Sequence, residues 1–300
     1  MRVLVTGGAG FLGSNLMDAL SARADLAIAV DDLSTGDRSN LAPDIPLRVA
    51  DVADRAGLFR AVHGEGFDVI VHCAAKTKVV ESMDKRDLYR RVIVDGTRNV
   101  VALAEDRHVQ LLVNVSTGGA LYGETPTCAN EHTKTEPPSN YGRFKLEAEA
   151  IVAAAEVPSI TLRLANIYGP RQRTDLEGGV VAIFSAAWRA GRPITVFGDG
   201  QDERDYVYVG DAVEAITGSF AGNWTGVFNV GTGVPTSVNT LIDVLEEILG
   251  PRPWVRHAPE RGGGVELDRS CLDASKALRT GLWSPKTTLR DGLRRTIELS

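Results

Sequence analysis

The chain has 300 residues and a formal net charge of −6 at pH 7, and its length is sufficient to bury a large core. The mildly acidic balance lacks the basic footprint of a nucleic-acid-binding protein, so we predict no nucleic-acid partner. We also predict no membrane segment, because no apolar run approaches a bilayer span and Met1-Arg2 leads straight into the first predicted strand, without room for a signal peptide.

The three cysteines, Cys73, Cys128 and Cys271, lie far apart in the sequence and form no Cys-x-x-Cys pair. This spacing argues against a zinc site, redox catalysis or a disulfide framework. We therefore expect no metal and no disulfide, and a reducing cytoplasm as the compartment of the protein.

The first predicted strand, Val3-Leu4-Val5, is followed at once by a turn with a GxxGxxG spacing rather than the commoner GxGxxG. A buried strand that turns through glycines into a helix presents backbone N–H groups and a helix N-terminus to a pyrophosphate. An ordinary strand-to-helix loop is the alternative for a glycine-rich turn taken alone. We predict a dinucleotide site with contacts from Gly7, Gly10, Phe11, Leu12 and Gly13.

The second predicted strand, over 26–30, ends at Asp31 and Asp32, about twenty residues after the glycines as the dinucleotide pattern requires. A carboxylate at this place accepts hydrogen bonds from the adenosine ribose and would repel a 2′-phosphate. This favours NAD over NADP as the cofactor. For Asp32, capping of the turn that follows is an equal alternative.

Apolar runs that are typical of strands alternate with helical patterns through the first half of the chain. Strands are predicted at 47–50, 69–72, 111–115 and 160–164, and helices near 12–22, 55–62, 87–106 and 142–155. Strands that are apolar throughout, in this alternation, predict a doubly wound parallel α/β sheet of the Rossmann type. The third strand ends in Asp51 and Val52, and we expect this pair to flank the adenine.

After about residue 166, turn-rich stretches and amphipathic helices near 180–190 and 237–249 indicate a smaller α/β lobe that would bind the substrate. The run Val227-Phe228-Asn229-Val230 predicts a strand that returns to the main sheet. We therefore predict two parts of the chain: an NAD-binding domain at 1–165 together with 205–232, and a substrate lobe at 166–204 and 233–300.

Tyr141 and Lys145 lie four residues apart at the start of a predicted helix, which brings both side chains to one face. We predict that the lysine ammonium near the phenol and a positively charged nicotinamide ring both lower the pKa of the phenol, so that the tyrosine becomes a usable acid or base. A tyrosine and a lysine at this spacing also arise by chance in many helices. The preceding strand, however, ends in Ser116-Thr117, and hydroxyls at the carboxyl edge of a parallel sheet face its ligand crevice.

Seven segments, in order through nearly the whole chain, resemble the extended short-chain dehydrogenase/reductases and specifically the nucleotide-sugar epimerase/dehydratase family. They are Thr6-Gly7-Gly8-Ala9-Gly10-Phe11-Leu12-Gly13, His72-Cys73-Ala74-Ala75, Asp95-Gly96-Thr97-Arg98-Asn99, Ser116-Thr117-Gly118-Gly119-Ala120-Leu121-Tyr122-Gly123, Tyr141 to Lys145, Arg163 to Gln172 and Arg204-Asp205-Tyr206-Val207-Tyr208-Val209. The resemblance implies an enzyme that uses NAD and acts on a nucleotide-sugar.

For catalysis, the resemblance implies that Tyr141 removes a proton from a sugar hydroxyl and that Lys145 holds the nicotinamide ribose. Thr117 or Ser116 would hydrogen-bond the same sugar oxygen, and we prefer Thr117, with a strand-end hydroxyl that caps backbone as the alternative. The family's third hydroxyl position is a glycine in this chain. Ala74 and Ala75 join the expected NAD contacts.

For the substrate, the resemblance implies a diphosphate held by Asn166 and by Arg204 and Arg261, with Arg204 preferred. The alternative for both arginines is a solvated surface side chain. Other expected contacts are Val180, which opens a helix along the nucleotide, Phe197 beside the base, Lys76 near the sugar or phosphates, and Ser270, whose small size leaves room for an N-acetyl group on C2.

The reaction that the resemblance favours is 4-epimerisation of a UDP-hexose, by transient oxidation at C4 and non-stereospecific return of hydride. The sugar dehydratases and decarboxylases of the family carry acids where this chain has Gly119-Ala120, so the group needed for elimination is missing. UDP-glucose and UDP-galactose are the expected substrates, with UDP-GlcNAc and UDP-GalNAc also accepted.

Alternatives to this function are an enzyme acting on UDP-glucuronate or a dTDP-hexose, and a catalytically silent NAD-binding regulator. The resemblance also implies a homodimer through a four-helix bundle, to which each subunit contributes the helices near 87–106 and 142–155. Burial of these helices against their own sheet would explain the same composition.

Overall fold

The computed structural model describes residues 1–175, 179–259 and 265–299. In chain order the strands of these residues are β1 (Arg2–Thr6), β2 (Leu26–Asp31), β3 (Leu47–Val49), β4 (Val69–His72), β5 (Leu111–Thr117), β6 (Ser159–Leu164), β7 (Asn166–Tyr168), β8 (Ile194–Phe197), β9 (Glu203–Tyr208), β10 (Gly226–Val230), β11 (Pro235–Ser237), β12 (Val255–Ala258) and β13 (Arg269–Ser270).

The helices of the same residues are α1 (Phe11–Ala22), α2 (Arg55–Ala61), α3 (Glu81–Asp84), α4 (Arg86–Arg90), α5 (Gly96–Asp106), α6 (Asn140–Ala153), α7 (Val180–Arg189), α8 (Val209–Gly218), α9 (Val238–Leu249), α10 (Ser275–Thr280) and α11 (Leu289–Glu298). Within the described ranges, no helix combines the length and the apolar character that a bilayer crossing requires.

The central sheet contains seven parallel strands of the described residues, in the order β10-β6-β5-β4-β1-β2-β3. The strand order reverses between β1 and β4, and in such sheets ligands bind in the crevice at the carboxyl ends of these strands. The predicted doubly wound parallel α/β sheet is confirmed.

Side chains of the inner strands alternate between two apolar cores, one on each face of the sheet. Val3 and Val5 of β1 pack in one core with Leu16 of α1, whereas Leu4 packs in the other core with Leu58 of α2. Because both faces are covered by helices, most side chains of these strands are apolar. Full burial of each such leucine contributes about 2 kcal/mol, which gives the carboxyl edge a rigid base.

The helix predicted over 87–106 is divided in the structure. A π-helical turn at Arg91–Asp95 separates α4 from α5. The Thr97 hydroxyl donates to the Ile93 carbonyl at 2.5 Å and lies 3.1 Å from Nε2 of His72. A side-chain hydrogen bond to this carbonyl competes with the regular helical ladder, and the periodicity of the sequence does not reveal that competition.

The carboxyl-terminal half adds a small sheet in which β9 pairs with β7, β11 and β13, and a separate pair of strands, β8 and β12. Residues 205–208 therefore lie in the small sheet, while α8 packs on α1 and β10 forms one edge of the central sheet. The division of the chain into two lobes stays a prediction.

A disulfide joins Cys128, in the loop after β5, to Cys271, directly after β13, and the two Cα atoms are 4.6 Å apart. The backbone is also paired here, because the N–H of Ala129 donates to the Cys271 carbonyl at 2.9 Å. The sequence-based argument against a disulfide was wrong. It rested on sequence spacing, and the fold brings together two segments that are 143 residues apart.

Candidate functional site

One cleft of about 400 Å³ follows the carboxyl edge of the central sheet, from the glycine-rich turn after β1 toward the small sheet. Most of the predicted site residues line it: Gly7, Gly10, Phe11, Leu12, Gly13, Asp31, Asp32, Asp51, Val52, Ala74, Ala75, Lys76, Ser116, Thr117, Tyr141, Lys145, Asn166 and Arg204. The cleft therefore brings the predicted cofactor contacts and the predicted acid–base pair into one space.

Three of the described residues predicted for the site, Val180, Phe197 and Ser270, are not part of the lining of the cleft. Val180 begins α7 directly after Gly179, which does line the cleft, and Phe197 ends β8 opposite Ala258 of β12. Ser270 is buried at the end of β13. Arg261 lies outside the described residues.

The glycine-rich turn is close to neighbouring backbone on both sides. Gly7 has a φ of +70°, and a Cβ atom on it would lie 2.8 Å from the amide nitrogen of Ala74. A Cβ atom on Gly13 would collide with the Gly7 carbonyl. Gly10 caps α1 without a side-chain hydrogen bond, so the N–H groups of the first turn are free of a side-chain cap and suit an anion.

The two acids after β2 stabilise the turns around them. Asp31 is buried, and its carboxylate accepts hydrogen bonds from the backbone N–H of Ala9 at 3.0 Å and of Leu33 at 2.8 Å. Burial raises the pKa of Asp31, although these two hydrogen bonds oppose the shift. Asp32 accepts from the N–H of Ser34 at 2.9 Å and from its hydroxyl at 2.6 Å, which is the capping role that the sequence left open.

Lys76, from the segment after β4, donates through its ammonium to the Ser34 hydroxyl at 2.9 Å. The cleft lining also includes Arg171, Gln172 and Arg173. The guanidinium of Arg173 donates to the Thr35 carbonyl at 2.9 Å. Sequence reasoning used Arg171 and Gln172 only as part of a family segment and did not place these residues at the site.

Tyr141 and Lys145 are buried on the face of α6 that packs against the end of β5. The Thr117 side chain acts on the Tyr141 phenol and lowers its pKa. The Lys145 ammonium donates to the Val115 carbonyl at 2.7 Å. Ser139 caps the helix by accepting the N–H of Gly142 at 3.1 Å. The phenol, the ammonium and the Thr117 hydroxyl are thus held where α6 and the end of β5 meet the cleft.

Burial controls the proton affinities of this pair. It raises the pKa of Tyr141 to about 12, against the effect of the Thr117 side chain, and lowers the pKa of Lys145 to about 8. With the groups that the chain itself supplies, the pKa of the phenol is raised, and the prediction that Lys145 and a nicotinamide ring together lower it stays a prediction. Helical spacing places both residues on one face, and the ammonium donates to the Val115 carbonyl.

Ser116 and Thr117 have different partners in the structure. The Ser116 hydroxyl donates to the Glu149 carboxylate at 2.5 Å, and Glu149 also forms an ion pair with Arg163. Sequence reasoning missed Glu149 as a functional candidate. Glu149 lies four residues after Lys145, and Lys145 lies four residues after Tyr141. That repeated spacing was the available signal, because residues four apart share a helix face.

The other end of the cleft is formed by residues from distant segments. A Cβ atom on Gly119 would lie 3.1 Å from Oδ1 of Asn166 and 3.4 Å from Oγ of Ser270. Arg204 is half-buried, and its guanidinium donates to its neighbour's carbonyl, that of Glu203, at 3.0 Å. A Cβ atom on Gly118 would collide with the Leu272 side chain, so any larger residue at this position requires Leu272 to shift.

Comparisons with known proteins agree with this geometry. Residues 3–231 match the NAD dependent epimerase/dehydratase family. The chain is 38% identical to the UDP-glucose 4-epimerase of Mycolicibacterium smegmatis, over 99% of this chain and 98% of that protein.

Two solved structures are similar over 100% of this chain and 98% of their own. The UDP-glucose 4-epimerase of Thermus thermophilus, in complex with NAD, has a TM-score of 0.94 at 36% identity. The UDP-glucose 4-epimerase of Thermotoga maritima, with UDP-glucose, has a TM-score of 0.93 at 35% identity.

Proposed function

The chain belongs to the NAD-dependent epimerase/dehydratase family, and on that premise we propose that it catalyses the 4-epimerisation of a UDP-hexose with bound NAD. UDP-glucose and UDP-galactose are the proposed substrates. The observation that carries the proposal is that the Tyr141 phenol, the Thr117 hydroxyl and Lys145, one helical turn from Tyr141, line the same cleft, which begins at the glycine-rich turn.

The residues of the cleft fit NAD. Backbone approaches so closely around Gly7 and Gly13 that side chains are excluded there, which leaves a cradle of the kind that accepts a pyrophosphate at a helix N-terminus. The buried Asp31 carboxylate would disfavour the extra phosphate of NADP. Asp51 and Val52 would flank the adenine, and Ala74 and Ala75 would continue the contacts along the carboxyl edge.

Bound NAD would supply an acceptor for the hydride of C4 and a donor for its return. Tyr141 would take the proton of the 4-hydroxyl and give it back, while Thr117 would hold the same oxygen. Lys145 would hold the ribose beside them. Since burial raises the pKa of Tyr141 to about 12, the phenol requires positive charge close to it before it can act as a base near neutral pH.

Epimerisation rather than elimination is supported by Gly119-Ala120, because neither residue offers an acid or base. Asn166 and Arg204, and also Arg261, would hold the diphosphate, with Val180 and Phe197 on the nucleotide side and Lys76 near the sugar or phosphates. Ser270 lies close to Gly119, and we propose that this small residue admits UDP-GlcNAc and UDP-GalNAc.

A coupled assay with UDP-galactose tests the proposal, together with ultraviolet detection of NAD in the purified protein. We expect turnover that Tyr141→Phe lowers by about 10³-fold without loss of bound NAD. NAD-loaded protein that does not convert UDP-galactose would contradict the activity. Conversion of UDP-glucose without any conversion of UDP-GlcNAc would contradict the role of Ser270.

We also propose a homodimer in which α5 and α6 of two subunits form a four-helix bundle. Within the subunit these helices already pack together, and Arg98 is 3.2 Å from the Glu147 carboxylate across their outer surface. Light scattering on the eluted protein should give twice the chain mass of 32.1 kDa. A monomer at micromolar concentration would contradict the proposal.

A further inference from the structure

A buried ion pair lies behind the proposed proton-transfer group. Glu149 of α6 and Arg163 of β6 are each less than a tenth exposed. The Arg163 guanidinium donates to the Glu149 carboxylate through Nε at 3.0 Å and Nη2 at 2.6 Å, and the Ser116 hydroxyl donates to the same carboxylate at 2.5 Å. Both charges are therefore removed from water and directed toward the end of β5.

The pair is part of a wider network of hydrogen bonds. Nη1 of Arg163 donates to the Tyr122 hydroxyl at 2.8 Å, and that hydroxyl donates to Oδ1 of Asn229 in β10 at 2.8 Å. Desolvation of two charges offsets much of their attraction, and well-packed apolar residues of similar volume are often as stabilising. Stability alone therefore gives no reason for a charged pair at this place.

The end of β5 meets α6 at three successive residues. The Val115 carbonyl accepts the Lys145 ammonium at 2.7 Å, the Ser116 hydroxyl donates to Glu149, and the Thr117 side chain acts on the Tyr141 phenol and lowers its pKa. The three helix residues are one turn apart, and the three strand residues are consecutive. The Ser116–Glu149 bond is the middle one along the strand, so it restrains the residues on both sides of it.

We propose that Glu149 is a positioning residue for the Tyr141–Thr117 pair, acting through Ser116 and through the charge on Lys145. The proposal rests on the epimerase function proposed above. Through Ser116, the carboxylate fixes the strand end that presents the Thr117 hydroxyl to the phenol. Through its negative charge, it favours the ammonium form of Lys145 one turn away.

The groups that face Lys145 show why this charge matters. They come from three elements: Tyr141 and Glu149 of α6, His72 and Cys73 at the end of β4, and Arg163 of β6 behind Glu149. Burial holds the pKa of His72 at about 3 and that of Cys73 at about 12, so both are neutral near pH 7. Among these described groups, the Glu149 carboxylate supplies the negative charge that opposes the effect of burial on Lys145.

Glu149→Gln keeps the shape of the side chain and removes its charge. We expect kcat for UDP-galactose to fall by about tenfold, with KM almost unchanged because Glu149 does not line the cleft. The loss of negative charge lowers the pKa of Lys145, so the ammonium is lost at a lower pH. The alkaline limb of the kcat–pH profile should therefore move to lower pH.

Ser116→Ala removes the attachment and leaves the ion pair in place. We expect kcat to fall by about fivefold without a displacement of the alkaline limb, since the charge beside Lys145 is retained. In the double variant the two losses should be less than additive, because both changes release the same strand end. Fully additive losses would show that Ser116 acts independently of Glu149 and would overturn the proposal.

Glu147→Gln is the matched control, because Glu147 lies on the outer side of the same helix and pairs there with Arg98. It should leave kcat and the pH profile unchanged. Melting temperature and bound NAD are measured for every variant, so that loss of folding is separated from loss of positioning. If Glu149→Gln does not fold, the kcat of Ser116→Ala tests the proposal on its own.

The two proposals can fail separately. No turnover of UDP-galactose by the unaltered protein would remove the proposed function itself. The positioning role is contradicted if the unaltered protein is active and if Ser116→Ala and any folded Glu149→Gln have the same kcat and pH profile per NAD-loaded subunit. The Glu149–Arg163 pair would then only stabilise the fold.

Discussion

The two ends of the cleft are built in different ways. At the glycine-rich end, one continuous unit of strand, turn and helix from Arg2 to Ala22 forms the wall, and Asp31 of the adjacent strand secures it. At the other end, Gly119, Asn166 and Ser270 come within contact distance from three remote segments. The first end is defined by local backbone geometry, and the second by long-range packing.

This difference determines how each end of the cleft responds to substitutions. The glycine-rich end tolerates few substitutions because its backbone is closely packed, whereas the other end can be altered by any change in how its remote segments meet. We therefore expect variants at the two ends to affect NAD and the nucleotide-sugar separately.

Removal of the disulfide should give the largest effect and act on the second end. Cys128→Ser opens a cross-link between residues 143 apart, and we expect the free energy of unfolding to fall by about 2–4 kcal/mol. Because Leu272 follows Cys271 and packs over Gly118, KM for UDP-galactose should rise while bound NAD is retained. Denaturant unfolding and steady-state kinetics measure the two effects.

Thiol titration in denaturant provides the control. Without reductant the chain should show one thiol, that of Cys73, and with reductant three. Three thiols before reduction would contradict the cross-link. A cytoplasmic location stays a prediction, and the dithiol form would be favoured there.

Gly13→Ala would break the first end. The added methyl group meets the Gly7 carbonyl, which is backbone and cannot rotate away. We therefore expect the free energy of unfolding to fall by about 1–3 kcal/mol and most of the bound NAD to be lost. Gly66→Ala is the control, because Gly66 does not line the cleft and its methyl group would have no neighbouring atom nearer than 4.0 Å. Equal NAD content in the two variants would contradict the argument.

The same division explains what the sequence could predict. The glycine turn, Asp31 and the Tyr141–Lys145 face depend on spacings within one or two elements, and all of these residues line the cleft. The direction of the Lys145 ammonium was not predictable, since spacing fixes a helix face but not which carbonyl a long side chain reaches. The Cys128–Cys271 bond depends on how two loops meet in the folded chain, which spacing does not report.

Low pH should lower the stability of the fold at the glycine-rich end through His72, whose ring nitrogens lie next to the hydroxyls of Thr6 and Thr97. Its Nδ1 lies 2.8 Å from the Thr6 hydroxyl, and burial lowers its pKa from 6.5 to about 3. Between these values the unfolded chain binds a proton that the folded chain does not, so stability is present above pH 6.5 and is lost as the pH falls toward 3. The expected slope is about 1.4 kcal/mol per pH unit.

Denaturant unfolding across this range, with His72→Gln beside the unaltered protein, measures the slope. The variant should show a shallower dependence on pH, because it has no group at this position to protonate. His63→Gln removes an exposed histidine and should leave the slope unchanged. If His72→Gln kept the full slope, carboxylates elsewhere would account for the acid sensitivity.

Gly119→Ala should give the smallest effect and act only on the second end. Its methyl group would enter the space between Asn166 and Ser270, at 3.1 Å and 3.4 Å from their oxygen atoms, so the neighbours need to move by only a few tenths of an ångström. We expect KM for UDP-GlcNAc to rise by about threefold and KM for UDP-galactose to rise less, because the N-acetyl group needs the most room. Gly118→Ala offers the contrast, since its methyl group meets Leu272 and should lower the melting temperature without discriminating between sugars. If Gly119→Ala changed the KM values for UDP-GlcNAc and UDP-galactose equally, the C2 substituent would lie away from Ser270. The second end of the cleft would then select its substrate by contacts to the nucleotide rather than by the space around the sugar.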